Sequence, residues 1–231
     1  MTRVALPTGR WFLGLAALAA WGLLYRCGRA YGTTRAERRA SLPGDDLVDR
    51  AQVTVTHATS IPAPAEQVWP WLVQVGWHRA GWYTPRWVDV LFFPDNWPSA
   101  KEILPQHQAL DVGDTVPDGP PRAECYFVVR ELVPARCLVL DSTTHLPLSW
   151  RERGRAHLHW TWSFTLTPMP DRTGTRLVVR WRARVRPWWL TVVAHLFVGP
   201  ADFVMSRGLL RGVRSRVVGR VERPESHQAG R

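Results

Sequence analysis

Few side chains in this 231-residue sequence are spaced as metal-binding or catalytic groups are. His157 and His159 alternate on a predicted strand, so their imidazoles share one face and would supply half of a metal site. A metal site generally needs three or four ligands, and the spacing places no third ligand beside them. The sequence also contains no phosphate-binding loop, nucleophile elbow, zinc-protease motif or dinucleotide fingerprint. It therefore predicts no metal, no cofactor and no identifiable nucleophile.

Other polar and aromatic side chains are candidates for the lining of a ligand cavity. His57 shares its strand face with apolar residues, so it is either an acid/base group in a cavity or a hydrogen-bonded interior histidine. Tyr83 lies in a loop rich in Trp, Pro and Gly, where it would orient a ligand or serve as an ordinary turn residue. Five tryptophans complete the candidate lining, by stacking on a flat or lipid-like ligand or by plain core packing: Trp82, Trp87, Trp160, Trp162 and Trp181.

The composition and charge exclude two classes of protein. Fourteen tryptophans and 45% apolar residues are too much apolar surface for a disordered chain, and the length suits one sizeable domain with an extension. The net charge of +11 is unevenly spread: residues 1–39 carry +6, residues 40–175 carry −4 and residues 176–223 carry +9. A uniformly cationic protein is therefore excluded, and the two basic ends predict contact with an anionic surface, either a membrane or a nucleic acid.

The N-terminal end favours the membrane. Trp11 to Tyr25 is an uncharged and mostly apolar run, which spans about 22 Å as a helix against the ~30 Å of a hydrocarbon core. Snorkelling of Arg10 and Arg26 would close this gap. A cleaved signal peptide and a buried core helix are the alternatives. We expect an uncleaved single-pass anchor in the cell membrane, with the main domain in the cytoplasm, because the larger positive flank follows the segment.

Four arginines form a ladder on one face of a predicted strand, at Arg180, Arg182, Arg184 and Arg186. Neighbours on that face are about 6–7 Å apart, so their charges repel one another and favour an anionic partner over a merely solvated face. With an anchor at the other end of the chain, anionic lipid headgroups are the expected partner. Nucleic acid is disfavoured, because no binding module is recognisable and no aromatics are interleaved on the ladder face.

Hydrophobic periodicity predicts the elements that hold these groups. We expect strands near residues 53–61, 123–133, 137–142, 147–151, 157–167 and 176–186, and helices at 64–76 and 87–93. An apolar segment at 188–198 should end at Gly199-Pro200, before a last helix that runs to about residue 223. The fold class is α+β, with an antiparallel sheet of about six to seven strands whose apolar face is covered by the long C-terminal helix. The domains are an anchor and basic linker at 1–42, a folded domain at 43–223 and a disordered tail at 224–231.

Several short strings in this order are similar to those of a known superfamily. They are Pro43-Gly44-Asp45, Ile61-Pro62-Ala63-Pro64 with Val68-Trp69-Pro70-Trp71-Leu72-Val73-Gln74-Val75-Gly76, Gly81-Trp82-Tyr83 with Trp87, Leu110 with Val112-Gly113-Asp114, and Phe203-Val204-Met205 with Leu209-Leu210-Arg211-Gly212. The chain resembles the helix-grip superfamily of START-like, SRPBCC or polyketide cyclase/dehydrase-like domains, in a bacterial branch with an N-terminal hydrophobic segment. Arg86 stands before Trp87 where such proteins tend to carry an acid, so no role passes to that position.

The resemblance implies a curved sheet wrapped on the C-terminal helix with a cavity for a hydrophobic ligand between them, and it implies no reaction. Our first expectation is a membrane-tethered domain that binds a small hydrophobic or lipid-like ligand without transforming it. The alternative is a polyketide cyclase/dehydrase-like enzyme that uses a cavity group such as His57 or Tyr83. The third possibility is a scaffold with a filled core and no cavity.

Overall fold

The structure is a computed structural model, and it describes residues 8–92, 95–170 and 173–221. The predicted tail at 224–231 lies outside these residues. The helices are α1 (Thr8–Gly28), α2 (Arg35–Arg39), α3 (Ala65–Val73), α4 (Arg86–Phe92), α5 (Leu148–Glu152), α6 (Trp189–Val193) and α7 (Gly199–Val221). The strands are β1 (Val53–Ile61), β2 (Thr115–Pro117), β3 (Tyr126–Val133), β4 (Cys137–Ser142), β5 (His157–Pro168) and β6 (Thr175–Arg186).

The six strands form one antiparallel sheet in the order β1-β6-β5-β4-β3-β2. The two longest strands, β5 and β6, lie in the middle, and their apolar side chains alternate onto the inner face as the sequence predicts. Phe164, Leu177 and Val179 are buried there against α3 and the second half of α7. This α+β sheet, packed on a long C-terminal helix, confirms the predicted helix-grip fold class.

Residues 147–151 do not form the strand predicted for them. They lie in α5, a short helix that begins after Pro147. Both edges of β4 already pair, with β3 on one side and β5 on the other, so the segment that follows β4 has no free edge there to join. Proline also removes a backbone donor at the start of the segment, which suits the first turn of a helix better than a strand.

The predicted break at Gly199-Pro200 is also wrong. One continuous helix runs over Trp189–Arg220, and a π-helical turn at Ala194–Val198 joins α6 to α7. A proline inside a regular α-helix clashes with the carbonyl group four residues earlier. For Pro200 that carbonyl belongs to Leu196, which lies within the wider π-helical turn. The chain therefore passes the proline without ending the helix.

The long C-terminal helix has two unlike halves. Its second half is held by the sheet, where Leu209, Leu210, Val213 and Val217 are buried. Its first half is apolar but largely uncovered. Among the described residues, Trp189–Arg220 is the one helix long and apolar enough to cross a membrane by length and composition, while the apolar helix Trp11–Arg26 is shorter. Because the second half is packed into the domain, the uncovered apolar surface is confined to the first half.

The chain between α1 and β1 lies against the sheet. The amides of Thr56 and Ala58 on β1 donate to the carbonyl groups of Arg29 and Tyr31, at 3.1 and 3.0 Å. Thr34 and Glu37 form a reciprocal capping box that begins α2. This linker, residues 29–48, thereby follows β1 and covers part of the outer face of the sheet, where Thr161 and Ser163 are buried.

Candidate functional site

A cavity of about 490 Å³ lies between the inner face of the sheet and the first half of the C-terminal helix. Its size is in the usual range of small-molecule sites. Strands β5 and β6 supply one wall, the C-terminal helix supplies the opposite wall, and loops complete it. Its lining is Trp82, Asp118, His145, Leu146, Leu158, Trp160, Trp162, Trp181, Ala183, Val185, Leu190, Val193, Ala194, Phe197, Val198, Ala201, Asp202 and Met205.

The alternation of the two central strands builds the sheet wall. Trp160 and Trp162 point inward from β5, and they face Ala183 and Trp181 of β6 across the ladder. The small side chain of Ala183 beside large indoles leaves space that another tryptophan would fill. The opposite wall is apolar because Leu190, Val193, Ala194, Phe197 and Val198 all come from α6 and the π-helical turn.

Four of the predicted tryptophans lie together in this wall. Trp82 stacks on Trp162 with ring centroids 5.0 Å apart, and Trp160 stacks on Trp162 at 6.1 Å. Trp181 meets Trp160 edge-on at 6.1 Å. Among the residues that the structure describes, the buried indole N–H groups of Trp82, Trp160 and Trp162 donate no hydrogen bond. These N–H groups have no accessible surface, so the tryptophans present the apolar surface of their rings to the cavity.

Of the candidate residues, Trp87, Tyr83 and His57 are not among those that line the cavity. Trp87 lies on α4 and is 60% exposed. Tyr83 is buried, and its hydroxyl donates to the Trp71 carbonyl and accepts from Gln74 Nε2, both at 2.8 Å. Burial raises the pKa of Tyr83 far above that of an acid/base group at neutral pH. Tyr83 is therefore a structural residue of the loop.

His57 lies behind the cavity, between α1 and α7. Its Nε2 donates to the carbonyl group of Gly28, the last residue of α1, and its ring packs near Tyr31 and Phe203. Its neighbour Asp202 does line the cavity. Oδ2 of Asp202 is 4.0 Å from His57 Nδ1. His57 is thus the hydrogen-bonded interior histidine of the two alternatives, because the carbonyl at the end of α1 occupies its Nε2.

The polar groups that do line the cavity were not predicted from sequence. They are Asp118, His145 and Asp202. His145 Nε2 lies 2.9 Å from Asp118 Oδ2, and its Nδ1 lies 2.7 Å from the hydroxyl of Ser142. These contacts engage both ring nitrogens and fix the orientation of the imidazole. Asp118 and His145 lie in loops without periodicity, so the sequence carried no signal for them, whereas Asp202 is the lone acid in an apolar helical stretch.

Cys125 joins Asp118 and His145 to make the one group of possible metal ligands in the described part of the chain. One nitrogen, one sulfur and one oxygen atom lie within 4.8 Å of one another. Such a set suits zinc, provided that the thiol loses its proton. Burial, with a further contribution from Asp118, raises the pKa of Cys125 to about 12, which opposes that loss. In the absence of a metal, the cluster is a neutral thiol beside an imidazole–carboxylate pair. His157 and His159 do not belong to it.

The arginine ladder differs from the free surface that its spacing predicts. Arg180 is buried, and its Nη1 donates to Asp45 Oδ2 at 2.6 Å and to the Ala40 carbonyl at 2.7 Å. Arg182 lies 3.5 Å from the same carboxylate and donates to the Val48 carbonyl at 3.2 Å. The anionic partner of these two arginines is therefore the carboxylate of Asp45 in the linker. Arg184 and Arg186 remain, and with Arg151 they line a separate open groove.

No model of a protein family matches the chain, and no curated protein matches it. Solved structures show distant similarity. A protein from Mesorhizobium loti is 20% identical with a TM-score of 0.37, and the alignment covers 69% of this chain and 98% of that one. A protein from Chromobacterium violaceum is 15% identical with a TM-score of 0.41, covering 71% and 96%. A protein of the dynemicin biosynthetic locus is 16% identical with a TM-score of 0.36, covering 68% and 46%. These similarities assign neither a family nor a function, and the helix-grip assignment rests on the chain's own sheet and helix.

Proposed function

We propose that this chain is a membrane-tethered domain that binds a small hydrophobic or lipid-like molecule in the cavity without transforming it. The observation that carries the proposal is the cavity of about 490 Å³, lined by four tryptophans and by aliphatic side chains of the C-terminal helix. A filled scaffold would have no such volume. Burial of a ligand's apolar surface against these walls supplies the binding free energy.

The polar groups of the wall narrow the class of ligand. Most of the wall is apolar, and His145 beside Asp118 offers a polar contact. An amphiphile with an apolar body and one polar end matches this arrangement, because its polar end can hydrogen-bond to the polar side chains of the wall.

The tether in this proposal is α1. Its apolar side chains from Trp11 to Leu24 are exposed, and its last turn is joined to the domain through Gly28 and His57. The helix crosses the bilayer once, with the domain on the cytoplasmic side because the larger positive flank follows it. Arg184 and Arg186 then contribute to contact with anionic headgroups, while Arg180 and Arg182 hold the linker.

A cavity-blocking variant tests the binding function. Ala201→Phe places a ring in the cavity, and Ser215→Phe places the same ring on the exposed side of the same helix. We expect the full chain in detergent to bind a fluorescent fatty acid, Ser215→Phe to bind equally, and Ala201→Phe to bind at least about tenfold more weakly. Energy transfer from the cavity tryptophans to the probe reports the binding. Equal affinity in both variants would contradict this site.

An enzyme is the second candidate, because one observation favours it. The hydrogen-bonded pair of His145 and Asp118 reaches the cavity wall, although the groups that the sequence suggested, His57 and Tyr83, do not. Native mass spectrometry of the chain purified from its own host identifies the co-purifying molecule. If the chain converts that molecule, we expect His145→Asn to slow conversion about 10²–10⁴-fold while binding persists. An unchanged molecule after incubation supports the binding function.

A further inference from the structure

The first half of the C-terminal helix carries an apolar surface that the domain leaves largely uncovered. We call it the apolar helix face. Its exposed members are Trp188, Trp189, Val192, Val193, Leu196, Phe197 and Val198. Seven exposed apolar side chains within eleven residues are far more than the isolated surface hydrophobics that are normal for a protein in water. A patch of this kind is typical of a surface that contacts a partner or a membrane.

Helix α1 lies beside the apolar helix face and runs in the same direction. The Tyr25 hydroxyl is 2.6 Å from His195 Nδ1, and the Tyr25 ring also approaches Gly199. Three residues later in α1, Gly28 approaches Phe203. The contact that comes later in α1 also comes later in the C-terminal helix. The two helices are therefore parallel where they meet. The apolar helix face is thus fixed next to the exposed apolar side chains of α1.

The two helices extend to different distances beyond the contact between Tyr25 and His195, on the side away from the domain. Trp189 precedes His195 by six residues, which is about 9 Å along a helix axis. Helix α1 continues from Tyr25 back to Thr8, which is about 25 Å. If α1 crosses a bilayer, the apolar helix face reaches only into the leaflet nearest the domain.

Hydrocarbon fits the surroundings of α1, the neighbour of the apolar helix face, better than a protein partner does. Trp11, Phe12 and Leu13 follow one another around α1 at steps of about 100°, and each is between 70% and 75% exposed. A second protein chain would cover one side of such a helix and leave the other sides in water. A bilayer covers all sides.

Part of the apolar helix face is also the outer wall of the cavity. Val193, Phe197 and Val198 both line the cavity and remain exposed, Phe197 by 66%. The same side chains therefore separate the cavity from the surrounding medium. If that medium is hydrocarbon, an apolar ligand can pass between them without crossing water, which removes the main cost of transferring it.

We infer that the apolar helix face is a second membrane contact, embedded in the leaflet nearest the domain, and that the cavity takes up its ligand laterally from the bilayer. The ligand half of this inference rests on the proposed binding function. The membrane half rests only on the exposed residues and their placement beside α1.

Depth-dependent quenching tests the membrane half. A bimane label is placed at Val192→Cys or at Leu196→Cys, in the full chain with its three native cysteines replaced by serine. The chain is then reconstituted in vesicles with lipids brominated at shallow or deep acyl positions. We expect strong quenching by shallow bromines at both sites. The control is Val112→Cys, an exposed valine in the loop before β2 and outside the apolar helix face, which should not be quenched. Quenching at 192 and 196 no greater than at 112 would overturn the inference, and a label shielded by a second copy would give that result.

Uptake of a fluorescent fatty acid tests the ligand half. Val192 and Leu196 are exposed and do not line the cavity, so Val192→Gln with Leu196→Gln should leave binding in detergent unchanged. In vesicles that contain the probe, we expect the double variant to load about tenfold more slowly than the wild type. Val112→Gln should load normally. Equal loading rates would refute lateral uptake, whereas absence of binding in detergent, even in the wild type, would refute the proposed function itself.

Discussion

Arg180 on β6 and Asp45 in the linker form a buried ion pair, with 2.6 Å between Nη1 and Oδ2. The guanidinium group also donates to the carbonyl groups of Ala40 and Glu37 and to the hydroxyl of Thr56. Asp45 in turn accepts from the amide of Leu42 at 2.9 Å. The pair therefore attaches the linker to the outer face of the sheet, and it explains why this arginine is not available to lipids.

Removal of one member of this pair should destabilise the domain strongly. Asp45→Asn leaves the buried Arg180 charge without a counter-ion, and we expect a loss of about 3–5 kcal/mol in the free energy of unfolding. Urea denaturation of the full chain in mild detergent, followed by tryptophan fluorescence, measures this change. Asp46→Asn is the matched control, because Asp46 is adjacent but exposed, and it should change stability by less than about 0.5 kcal/mol. Equal effects at the two positions would show that the pair is not a stabilising contact.

A second linker contact predicts a dependence of stability on pH. The Arg176 guanidinium donates to both carboxylate oxygens of Glu37, at 2.7 and 3.0 Å, and lowers the pKa of Glu37 to about 2. Since this pKa lies below the ordinary value of 4.5, the contact stabilises the folded state fully above pH 4.5 and is lost as the pH falls towards 2. The difference between these two pKa values corresponds to at most about 3 kcal/mol in the free energy of unfolding.

Glu37→Gln isolates this contribution. The variant should be less stable than the wild type at pH 7 and should approach the wild type near pH 2, in unfolding curves measured across that range. Glu152→Gln changes an exposed carboxylate and serves as the control. A constant difference between wild type and Glu37→Gln at all pH values would refute the assignment.

Two glycines of α7 should respond in opposite ways to the same substitution. A Cβ atom at Gly212 would overlap the backbone oxygen of Tyr83, whereas a Cβ atom at Gly219 meets nothing within 4 Å. We expect Gly212→Ala to lose about 1–3 kcal/mol, because the loop must move away from the helix. Gly219→Ala should gain about 0.5–1 kcal/mol from helix propensity. Thermal and urea unfolding measure both, and stabilisation by Gly212→Ala would mean that the loop does not pack on α7 as described.

Local pattern was sufficient for most of the fold. The alternation in β1, β5 and β6 depends only on neighbouring residues, so the inner face of the sheet and its tryptophans could be predicted. Two errors have a different origin. The strand expected at 147–151 and the break expected at Gly199-Pro200 were both decided by surroundings, namely the paired edges of β4 and the π-helical turn.

The sequence by itself determined which faces are apolar, where the charges are concentrated and which segments are candidates for the membrane, because these properties follow from residue type and period. Tertiary structure alone decided which residues of the chain contact one another. It brought Asp118 to His145 across 27 residues and Asp45 to Arg180 across 135, and it placed His57 at the end of α1 instead of in the cavity. Such pairs depend on which segments the fold brings into contact, and no local periodicity encodes that.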